Sequence, residues 1–436
     1  MSLLIRGALL EGESVDVAIR NGLIESVGPT PVTSGESAPE ALFDRELDGR
    51  GLHLFPSFRN AHTHVAMVLF RGYGDDMPLM EWLQTRIWPA EKVMTAEDVY
   101  HGARLGLLEM IRGGTTFLNE MYWHRPALLR AVEEMGVRAC LGATILDLGD
   151  DALLSSQKAE IEELVAARAA GGLEAGGRVE LSIAPHAIYT VSPAVLEWVA
   201  RISDDAGVRV HIHLSETEGE VQGCLDEHGC RPAELLERVG LVSPRLVAAH
   251  GQFLDRSELE LLARGGATLV TNPTANLKLA TGGIFPWREA RAAGVRVCLG
   301  TDGAGSNNNL DMIEEMKVAA LVQKHREVDA TALPAQEALA MATRAGAEAF
   351  GQGSGTIAAG EPADLVLVDF SDPATQPLHD PDSALVYAAN ASQVHTTICA
   401  GRVLMHGRRV EVCDEKEVVA GAVAAIREVL ERSGAS

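Results

Sequence analysis

The sequence predicts an α/β fold: a (β/α)8 barrel of the TIM type, flanked by a small β-sandwich domain built from both termini. Eight β-like runs alternate with helical patterns between residues 52 and 300, and both ends of the chain carry short β-like runs instead. A regular alternation of this kind favours a closed parallel barrel over an open sheet. The predicted domains are 1–56 for the N-terminal part of the sandwich, 57–356 for the barrel, and 357–436 for the C-terminal part of the sandwich with a terminal helix.

The barrel strands are predicted from apolar runs rich in β-branched residues. The first run is LHLFP at 52–56, and the others lie at 115–118, 138–144, 179–184, 208–214, 246–249, 268–271 and 295–300. Helical patterns lie between most of these runs, at 96–111, 126–135, 155–170, 193–206, 256–263 and 286–293. Gly-Val pairs at 136–137, 207–208 and 294–295 mark points where a helix ends and a strand follows.

The two ends of the chain predict the flanking β-domain. Residues 3–27 read as short strands, and Arg20-Asn21-Gly22 supplies a hairpin turn. Near the other end, 363–368 and 394–403 are β-rich, and 402–410 resembles a strand, a turn and a second strand. The last stretch, 415–432, is predicted to be an amphipathic helix.

Composition excludes several classes of protein. The chain has 436 residues, of which 47% are hydrophobic, and its net charge of −24 disfavours nucleic acid or an anionic membrane as a partner. No apolar run is long enough to span a bilayer, and no N-terminal signal sequence is visible. The six cysteines are scattered, which predicts reduced thiols and a cytoplasmic protein.

The segment Asn60-Ala61-His62-Thr63-His64 is the first indication of chemistry. In an extended chain His62 and His64 point to the same side, so the two imidazoles can share a metal ion. Further nitrogen and oxygen ligands follow later β-like runs. These later candidates are His213 with Glu216 in HIHLSET, His250 in AAHGQ, and Asp302 in LGTDGAGS. Such a set predicts a catalytic metal that keeps one position open for water.

The predicted barrel explains why these residues would meet. Catalytic side chains in this fold lie at the C-terminal ends of the strands. Six candidates fall there: His62, His64, His186, His213, His250 and Asp302. The pattern alone leaves one choice open, because His211 shares the side of its strand with His213 and lies one layer deeper.

Several stretches together resemble the amidohydrolase superfamily, in particular its 5′-methylthioadenosine/S-adenosylhomocysteine deaminase family. These stretches are NAHTHVAMVLFRG, MEWLQTRIWPAE, PHAIYTVS, HIHLSETEGEV, TNPTANLKLATGG and LGTDGAGSNNNLDM. The resemblance implies one divalent metal ion per chain, usually zinc, with the ligands His62, His64, His213 and Asp302. It favours His213 over His211, because the family's ligand is the histidine of His-Leu-x-Glu. No lysine lies near the end of the fourth strand, which is consistent with a single metal.

The residue types then suggest catalytic roles. A bound metal lowers the pKa of its water ligand, and Asp302 can take the proton of that water. Glu216 can pass a proton to the ring nitrogen beside the reacting carbon, and His250 can hold the attacking hydroxide or polarise the developing charge. The structural alternatives are that Glu216 is a solvated acid beside Glu218, and that His250 is a structural imidazole.

The resemblance also implies substrate contacts. Glu91 matches a carboxylate that accepts hydrogen bonds from ribose hydroxyls, although an acid there can also favour the start of the next helix. His186 matches a contact to the purine, Ser306 matches a polar group beside the metal aspartate, and Trp88 can stack on substrate or simply pack. Some family members carry an arginine at the end of the third strand that grips the homocysteine carboxylate, but CLGATILD at 140–147 has none. An uncharged 5′ group is therefore expected.

The sequence thus predicts a hydrolytic deaminase of adenosine-type nucleosides, with adenosine or 5′-methylthioadenosine preferred over S-adenosylhomocysteine. The main alternative uses the same site on another ring, as a deaminase of a guanine-like base, a pterin or cytosine, or as a triazine hydrolase. A non-catalytic scaffold is a third class, but such relatives typically lose metal ligands, and this chain keeps all four. The expected partner is a small-molecule nucleoside, with no nucleic acid and no membrane, and assembly into a homo-oligomer stays open.

Overall fold

The computed structural model describes residues 2–29, 43–147, 149–172 and 174–434. Within these residues the strands form two sheets. The strands are β1 (Ser2–Leu10), β2 (Glu13–Arg20), β3 (Leu23–Pro29), β4 (Arg45–Asp48), β5 (His53–Pro56), β6 (Phe58–Thr63), β7 (Thr115–Glu120), β8 (Arg138–Ile145), β9 (Val179–Pro185), β10 (Arg209–Leu214), β11 (Leu246–His250), β12 (Thr268–Thr271), β13 (Arg296–Leu299), β14 (Leu365–Val368), β15 (Val394–Cys399), β16 (Arg402–His406) and β17 (Arg409–Val410).

The barrel is formed by β6 to β13. Within the described residues, these eight strands pair in parallel with their neighbours in chain order and enclose a nearly complete barrel. Helices follow the strands and cover the outside, as the alternation of patterns predicts. The α/β barrel prediction is therefore confirmed.

The first barrel strand is not the apolar run that the sequence pattern suggests. The run at 52–56 does form a strand, β5, but it pairs with β14 in a second sheet, which is built from strands of both termini and is called the terminal sheet. The barrel begins instead with β6, whose sequence FRNAHT looks polar although all six residues are buried. The side chains of Arg59 and Asn60 in β6 form hydrogen bonds to partners from distant parts of the chain, which a local pattern cannot reveal.

The helices agree closely with the predicted segments. Thr95 caps the helix Ala96–Arg112 with a reciprocal capping box, and Gly207 ends the helix Pro193–Ala206 with a φ of 62°, a conformation that glycine adopts without strain. None of the described helices is long and apolar enough to cross a membrane. The helices are α1 (Leu79–Trp82), α2 (Trp88–Glu91), α3 (Ala96–Arg112), α4 (Arg125–Met135), α5 (Asp151–Ala169), α6 (Pro193–Ala206), α7 (Glu218–His228), α8 (Pro232–Arg238), α9 (Arg256–Gly265), α10 (Pro273–Lys278), α11 (Trp287–Ala293), α12 (Ala304–Asn307), α13 (Met312–Glu327), α14 (Ala335–Ala342), α15 (Arg344–Ala349), α16 (Pro381–Tyr387) and α17 (Glu415–Ser433).

The strands of the two termini form one mixed sheet. Its order is β17-β16-β15-β14-β5-β1-β2-β3, and β4 pairs with β1, which makes nine strands within the described residues. The predicted hairpin turn is present, with Asn21 and Gly22 at φ angles of 52° and 82°. Part of the predicted 1–56 segment, residues 30–42, lies outside the described residues. The exact domain boundaries stay predictions.

A buried ionic cluster joins the terminal sheet to the barrel. Asp364 lies just before β14, and its carboxylate accepts hydrogen bonds from Arg59 at 3.0 Å and from Arg138 at 2.8 Å. The side chains of Asp364 and Arg59 are 1% and 4% exposed, so removing Asp364 would leave the buried charge of Arg59 uncompensated. The terminal sheet is thus held against the barrel end where the strands begin.

Candidate active site

The predicted site residues lie at the end of the barrel where the strands finish. His62 is within β6, His213 is within β10, His250 is the last residue of β11, and Asp302 follows β13 closely. These residues are at most 6% exposed, because the barrel wall and the loops enclose them. The strand ends therefore bring residues that are up to 240 positions apart into one cluster.

The first and last barrel strands meet at this cluster. The Asp302 backbone N–H donates to the His62 carbonyl at 3.1 Å. The Asn60 amide donates to the Thr301 hydroxyl at 2.6 Å, and its own oxygen accepts from the Thr301 backbone N–H at 3.1 Å. Asn60, the first residue of the NAHTH segment, therefore fixes the backbone of the last strand next to that of the first.

Four side chains converge on one point. One carboxylate oxygen of Asp302 lies 3.4 Å from His62 Nε2 and 3.3 Å from His64 Nε2. His64 Nε2 in turn lies 3.3 Å from His213 Nε2. These are distances between atoms that can share a single ion, since the ligand atoms of His62, His64 and Asp302 all fall within 4.8 Å of one another.

The hydrogen bonds of the Nδ1 atoms, which face away from the cluster, determine whether the Nε2 atoms can bind a metal. His64 Nδ1 lies 2.6 Å from the Met121 carbonyl, and His213 Nδ1 lies 2.9 Å from the His186 carbonyl. A carbonyl only accepts, so each Nδ1 carries the hydrogen. Each Nε2 is then left with a lone pair, which is the form in which imidazole binds a metal.

His62 completes the argument for a metal. Its Nδ1 lies 2.8 Å from His211 Nε2, and its Nε2 is buried with no hydrogen-bond partner among the described residues. Burial lowers the pKa of His62 to about 3, so the ring is neutral. Lone pairs and a carboxylate that face each other repel unless a cation lies between them. The residues of this cluster therefore fit a divalent metal ion.

His250 lies against the same cluster but has a different environment. Its Nδ1 lies 3.0 Å from the Asn276 amide nitrogen and 3.9 Å from a Glu216 carboxylate oxygen. A ring nitrogen of His250 also falls within 4.8 Å of ligand atoms of His62 and His213. Its backbone has a φ of 75°, a strained conformation of the kind that clusters at functional sites.

Glu216 is held by the helix that follows it. The Glu220 carboxylate accepts the Ser215 N–H at 2.7 Å with one oxygen and the Glu216 N–H at 2.9 Å with the other. Burial raises the pKa of Glu216, and His250 opposes this rise. A carboxyl group whose pKa is moved toward neutrality is suited to both accept and donate a proton.

Two of the predicted substrate contacts are tied to the metal cluster. The Ser306 hydroxyl donates to Asp302 at 2.7 Å, and the side chain is buried. His186 lies beside His213, with ring centroids 4.9 Å apart, and its Nδ1 is 2.9 Å from the Thr190 hydroxyl. Burial lowers the pKa of His186 to about 4, so its ring is neutral.

The other two predicted contacts come from the segment that follows β6. Glu91 ends α2, and its carboxylate accepts a hydrogen bond from the Tyr122 hydroxyl at 2.8 Å. Burial raises the pKa of Glu91 to about 7, and the Tyr122 hydroxyl opposes this rise. Trp88 begins the same helix, and its side chain is 46% exposed. The roles of Glu91 and Trp88 toward substrate stay predictions.

Sequence patterns missed several residues that support the site. Glu220 and Tyr122 hold candidate catalytic and binding residues, and His211, which the pattern offered only as an alternative ligand, contacts Nδ1 of His62. Asn272 and Asn276 face His250, at 3.3 and 3.0 Å. The one feature that these residues share is their position in the sequence: each lies in a barrel strand or in the segment that directly follows one.

Comparison with known proteins identifies the family. Residues 53–404 match the model of the amidohydrolase family, which is most of the chain. This chain belongs to the amidohydrolase family. A 5′-deoxyadenosine deaminase of Methanoregula boonei is 50% identical to this amidohydrolase over 387 residues, covering 89% of this chain and 86% of that relative. A 5-methylthioadenosine/S-adenosylhomocysteine deaminase of Thermococcus sibiricus is 42% identical over 411 residues, covering 93% and 94%.

Solved structures of other amidohydrolases share the fold over nearly the whole length. An adenosine deaminase of Xanthomonas campestris with bound zinc superimposes with a TM-score of 0.91 at 38% identity, covering 98% of both chains. A zinc complex of an atrazine chlorohydrolase from Arthrobacter aurescens TC1 has a TM-score of 0.87 at 24% identity, covering 97% of this chain and all of that one. The second likeness concerns the fold alone.

Proposed function

We propose that this amidohydrolase is a metal-dependent hydrolytic deaminase of adenosine-type nucleosides. The reaction consumes one water and releases ammonia, which leaves the inosine-type product. The observation that carries the proposal is the convergence of three imidazoles and Asp302 beside Glu216, at one end of the barrel. The names of the relatives support it, since those with 42 to 50% identity are deaminases of adenosine derivatives.

The proposed metal ligands are His62, His64, His213 and Asp302, and the proposed ion is a single zinc. A divalent metal at such a site supplies a water molecule acidified enough to act as a nucleophile near neutral pH. The bound zinc of the Xanthomonas adenosine deaminase supports this assignment. His211 lies behind the proposed ligand His62 and orients its ring, because His211 Nε2 contacts His62 Nδ1.

The proposed catalytic residues are Glu216, His250 and Asp302. Asp302 accepts the proton that the attacking water releases, and Glu216 delivers a proton to the purine nitrogen beside the reacting carbon. His250 donates a hydrogen bond that stabilises negative charge on the attacking oxygen, because its Nδ1 faces the Asn276 amide nitrogen and the hydrogen is left on Nε2. Loss of ammonia then restores the aromatic ring.

The proposed substrate contacts are Glu91, His186, Ser306 and Trp88. Glu91 accepts hydrogen bonds from the two ribose hydroxyls, and hydrogen bonds to a carboxylate are about twice as strong as neutral ones. His186 contacts the purine, Ser306 lies beside Asp302 near the reacting carbon, and Trp88 covers one side of the nucleoside.

The 5′ substituent is proposed to be uncharged. At the end of β8 the chain has Asp147, whose backbone N–H donates to the Thr190 carbonyl at 2.8 Å, so this strand end adjoins the loop of His186. A carboxylate in this position offers no favourable partner to the carboxylate of S-adenosylhomocysteine. We therefore rank 5′-deoxyadenosine, 5′-methylthioadenosine and adenosine above S-adenosylhomocysteine.

The cellular setting is proposed from the same chain. All six cysteines are free, which is consistent with a reducing compartment, and we propose that the enzyme is cytoplasmic. The partner is a small-molecule nucleoside. Assembly into a homo-oligomer stays a prediction.

A substrate panel tests the proposal. Zinc-loaded protein is assayed for ammonia release from 5′-deoxyadenosine, 5′-methylthioadenosine, adenosine, S-adenosylhomocysteine, adenine, guanine, a pterin and cytosine, and for chloride release from a chlorinated triazine. We expect the uncharged nucleosides to be turned over fastest. Adenine should be at least ~100-fold slower in kcat/KM, because it lacks two hydrogen bonds to a charged group that contribute about 1.5–3 kcal/mol each. Equal turnover of adenine contradicts the role of Glu91, and faster turnover of S-adenosylhomocysteine contradicts the 5′ preference.

Metal content is measured on the same preparations. We expect about one zinc per wild-type chain, and a loss of both zinc and turnover in His62→Ala. The exposed His325 on α13 offers a matched control, because His325→Ala should keep both. A His62→Ala protein that retains full activity without zinc would refute the metal assignment.

A further inference from the structure

Tyr122 connects the two halves of the site. It lies two residues beyond the end of β7, and its hydroxyl donates to the Glu91 carboxylate at 2.8 Å. Its ring lies 6.3 Å from the His64 ring, measured between centroids. The side chain is 5% exposed, so it contacts the proposed metal cluster on one side and the proposed ribose contact on the other.

The backbone around Tyr122 is anchored to both neighbouring strands. The Met121 N–H donates to the Thr63 carbonyl of β6 at 3.2 Å, and the Thr144 hydroxyl of β8 donates to the Tyr122 carbonyl at 3.2 Å. The Met121 carbonyl in turn accepts from His64 Nδ1 at 2.6 Å. The adjacent residues Met121 and Tyr122 therefore fix the proposed metal ligand His64 and the proposed substrate contact Glu91 relative to each other.

Glu91 depends on this single tyrosine for its position. Within the described residues, the Tyr122 hydroxyl is the hydrogen-bond partner of the Glu91 side chain, and no arginine, lysine or histidine forms an ion pair with it. A carboxylate has about four acceptor positions, so most of them stay available. The distribution of contacts suits a carboxylate that must be oriented without being neutralised.

We propose that Tyr122 is a positioning residue that orients Glu91 toward two vicinal hydroxyls, and that it thereby makes the enzyme select ribonucleosides over 2′-deoxyribonucleosides. This inference rests on the proposed function. A 2′-deoxy substrate leaves one acceptor of an oriented, partly buried carboxylate without its donor, which costs binding. Without the tyrosine hydroxyl, Glu91 can rotate, and the difference between the two sugars becomes smaller.

The competing explanation is that Tyr122 only fills space. Its ring belongs to the buried core around α3 and α4, so its loss could lower stability and turnover for every substrate alike. The two explanations differ in sugar selectivity. A packing role changes the rates for both sugars by the same factor, whereas a positioning role changes their ratio.

The test compares Tyr122→Phe with wild type on adenosine and 2′-deoxyadenosine, with zinc content and Tm measured on each protein. For wild type we expect kcat/KM to favour adenosine by on the order of 10- to 100-fold, the range for one hydrogen bond to a charged group. In Tyr122→Phe this ratio should fall at least several-fold through a higher KM for adenosine, with kcat nearly unchanged. Tyr100→Phe is the matched control, since Tyr100 is also buried and donates to Glu134 at 2.6 Å on the outer helices.

A double-mutant cycle sharpens the test. If Tyr122 acts through Glu91, then Tyr122→Phe should not reduce the ratio further in a Glu91→Gln background. Should Tyr122→Phe fail to fold, 3-fluorotyrosine at position 122 keeps the shape and changes the acidity of the hydroxyl, so KM should shift for adenosine more than for 2′-deoxyadenosine.

The possible failures are distinguishable. An unchanged ratio in a folded, zinc-loaded Tyr122→Phe protein overturns the inference and leaves the proposed function intact. A wild-type protein that releases no ammonia from any nucleoside overturns the proposed function itself.

Discussion

The strand ends and the segment after β6 hold their parts of the site in different ways. His62, His213 and Asp302 are 0–6% exposed, and each has a hydrogen-bond partner that fixes its orientation. Glu91 and Trp88 come from short helical turns joined by a π-helical stretch at Leu83–Ile87, and Trp88 is 46% exposed. The proposed chemistry is therefore built on the barrel itself, whereas the proposed recognition is built on a connecting segment.

Polar contacts also tie this segment to loops at the ends of other barrel strands. Lys278 Nζ lies 2.7 Å from one carboxylate oxygen of Asp75, and the Asn308 amide donates to the other at 3.0 Å. Connections on a rigid scaffold tolerate change more readily than the scaffold does. Substrate preference should thus be easier to alter by substitution than the reaction itself, and the next three predictions test this contrast.

The largest effect is expected at Glu216, on the strand-end side. Glu216→Gln should fold and keep its zinc, but it should lose at least the ~100-fold in kcat that a positioned acid–base group contributes, because an amide cannot shuttle a proton. Steady-state kinetics and metal analysis check this. The exposed Glu218→Gln is the control and should keep its turnover. Near-normal turnover in zinc-loaded Glu216→Gln would remove Glu216 from the mechanism.

A smaller effect is expected at Glu220, which holds the backbone of Glu216. In Glu220→Gln one carboxylate oxygen becomes an NH2 group that faces a backbone N–H, so one of the two hydrogen bonds is lost. We expect kcat to fall roughly tenfold with little change in KM, in line with about 1–3 kcal/mol for a buried group left without its partner. The exposed Glu227→Gln on the same helix is the control. A change in KM alone would contradict a role through Glu216.

The smallest effect is expected on the recognition side, as a dependence of KM on pH. Burial raises the pKa of Glu91 to about 7, so the side chain is a carboxylate above this pH and a neutral acid below it. The neutral acid accepts hydrogen bonds less well, and KM for adenosine should therefore rise several-fold as the pH falls through this value. Glu91→Gln should remove this dependence and leave the pH profile of kcat unchanged. A wild-type KM that is flat across this range would contradict the role of Glu91.

Most of the barrel could be predicted from the sequence because seven of its strands are apolar runs. Val179–Pro185 and Leu246–His250 lie within two residues of their predicted limits. The exception is β6, where the buried Arg59 and Asn60 form hydrogen bonds to Asp364, just before β14, and to Thr301, just after β13. A local pattern measures apolarity, and it cannot register a partner that lies 241 or 305 residues further along the chain.

The same limit of local patterns separates the site residues that could be predicted from those that could not. Spacing and residue type pointed to His62, His64, Asp302 and either His211 or His213, because metal ligands are few in kind and follow strand ends. Only the resemblance to the family favoured His213 over His211. The roles of His211 and Tyr122 could not be predicted, since a histidine behind a ligand and a tyrosine beside a carboxylate leave no spacing signal. The positive φ of Asp302, 59°, is likewise set by its surroundings and not by its own preference.

The terminal sheet has a consequence for how the chain is made. Strand β5 must pair with β14, which is synthesised roughly 310 residues later. At translation rates of about 5–20 residues per second, the N-terminal strands emerge roughly 15–60 seconds before their partners exist. During this interval β5 is an open edge that can pair with other chains. Nascent copies on one messenger are therefore expected to need shielding by chaperones, and slow, cool expression should raise the yield of correctly paired protein.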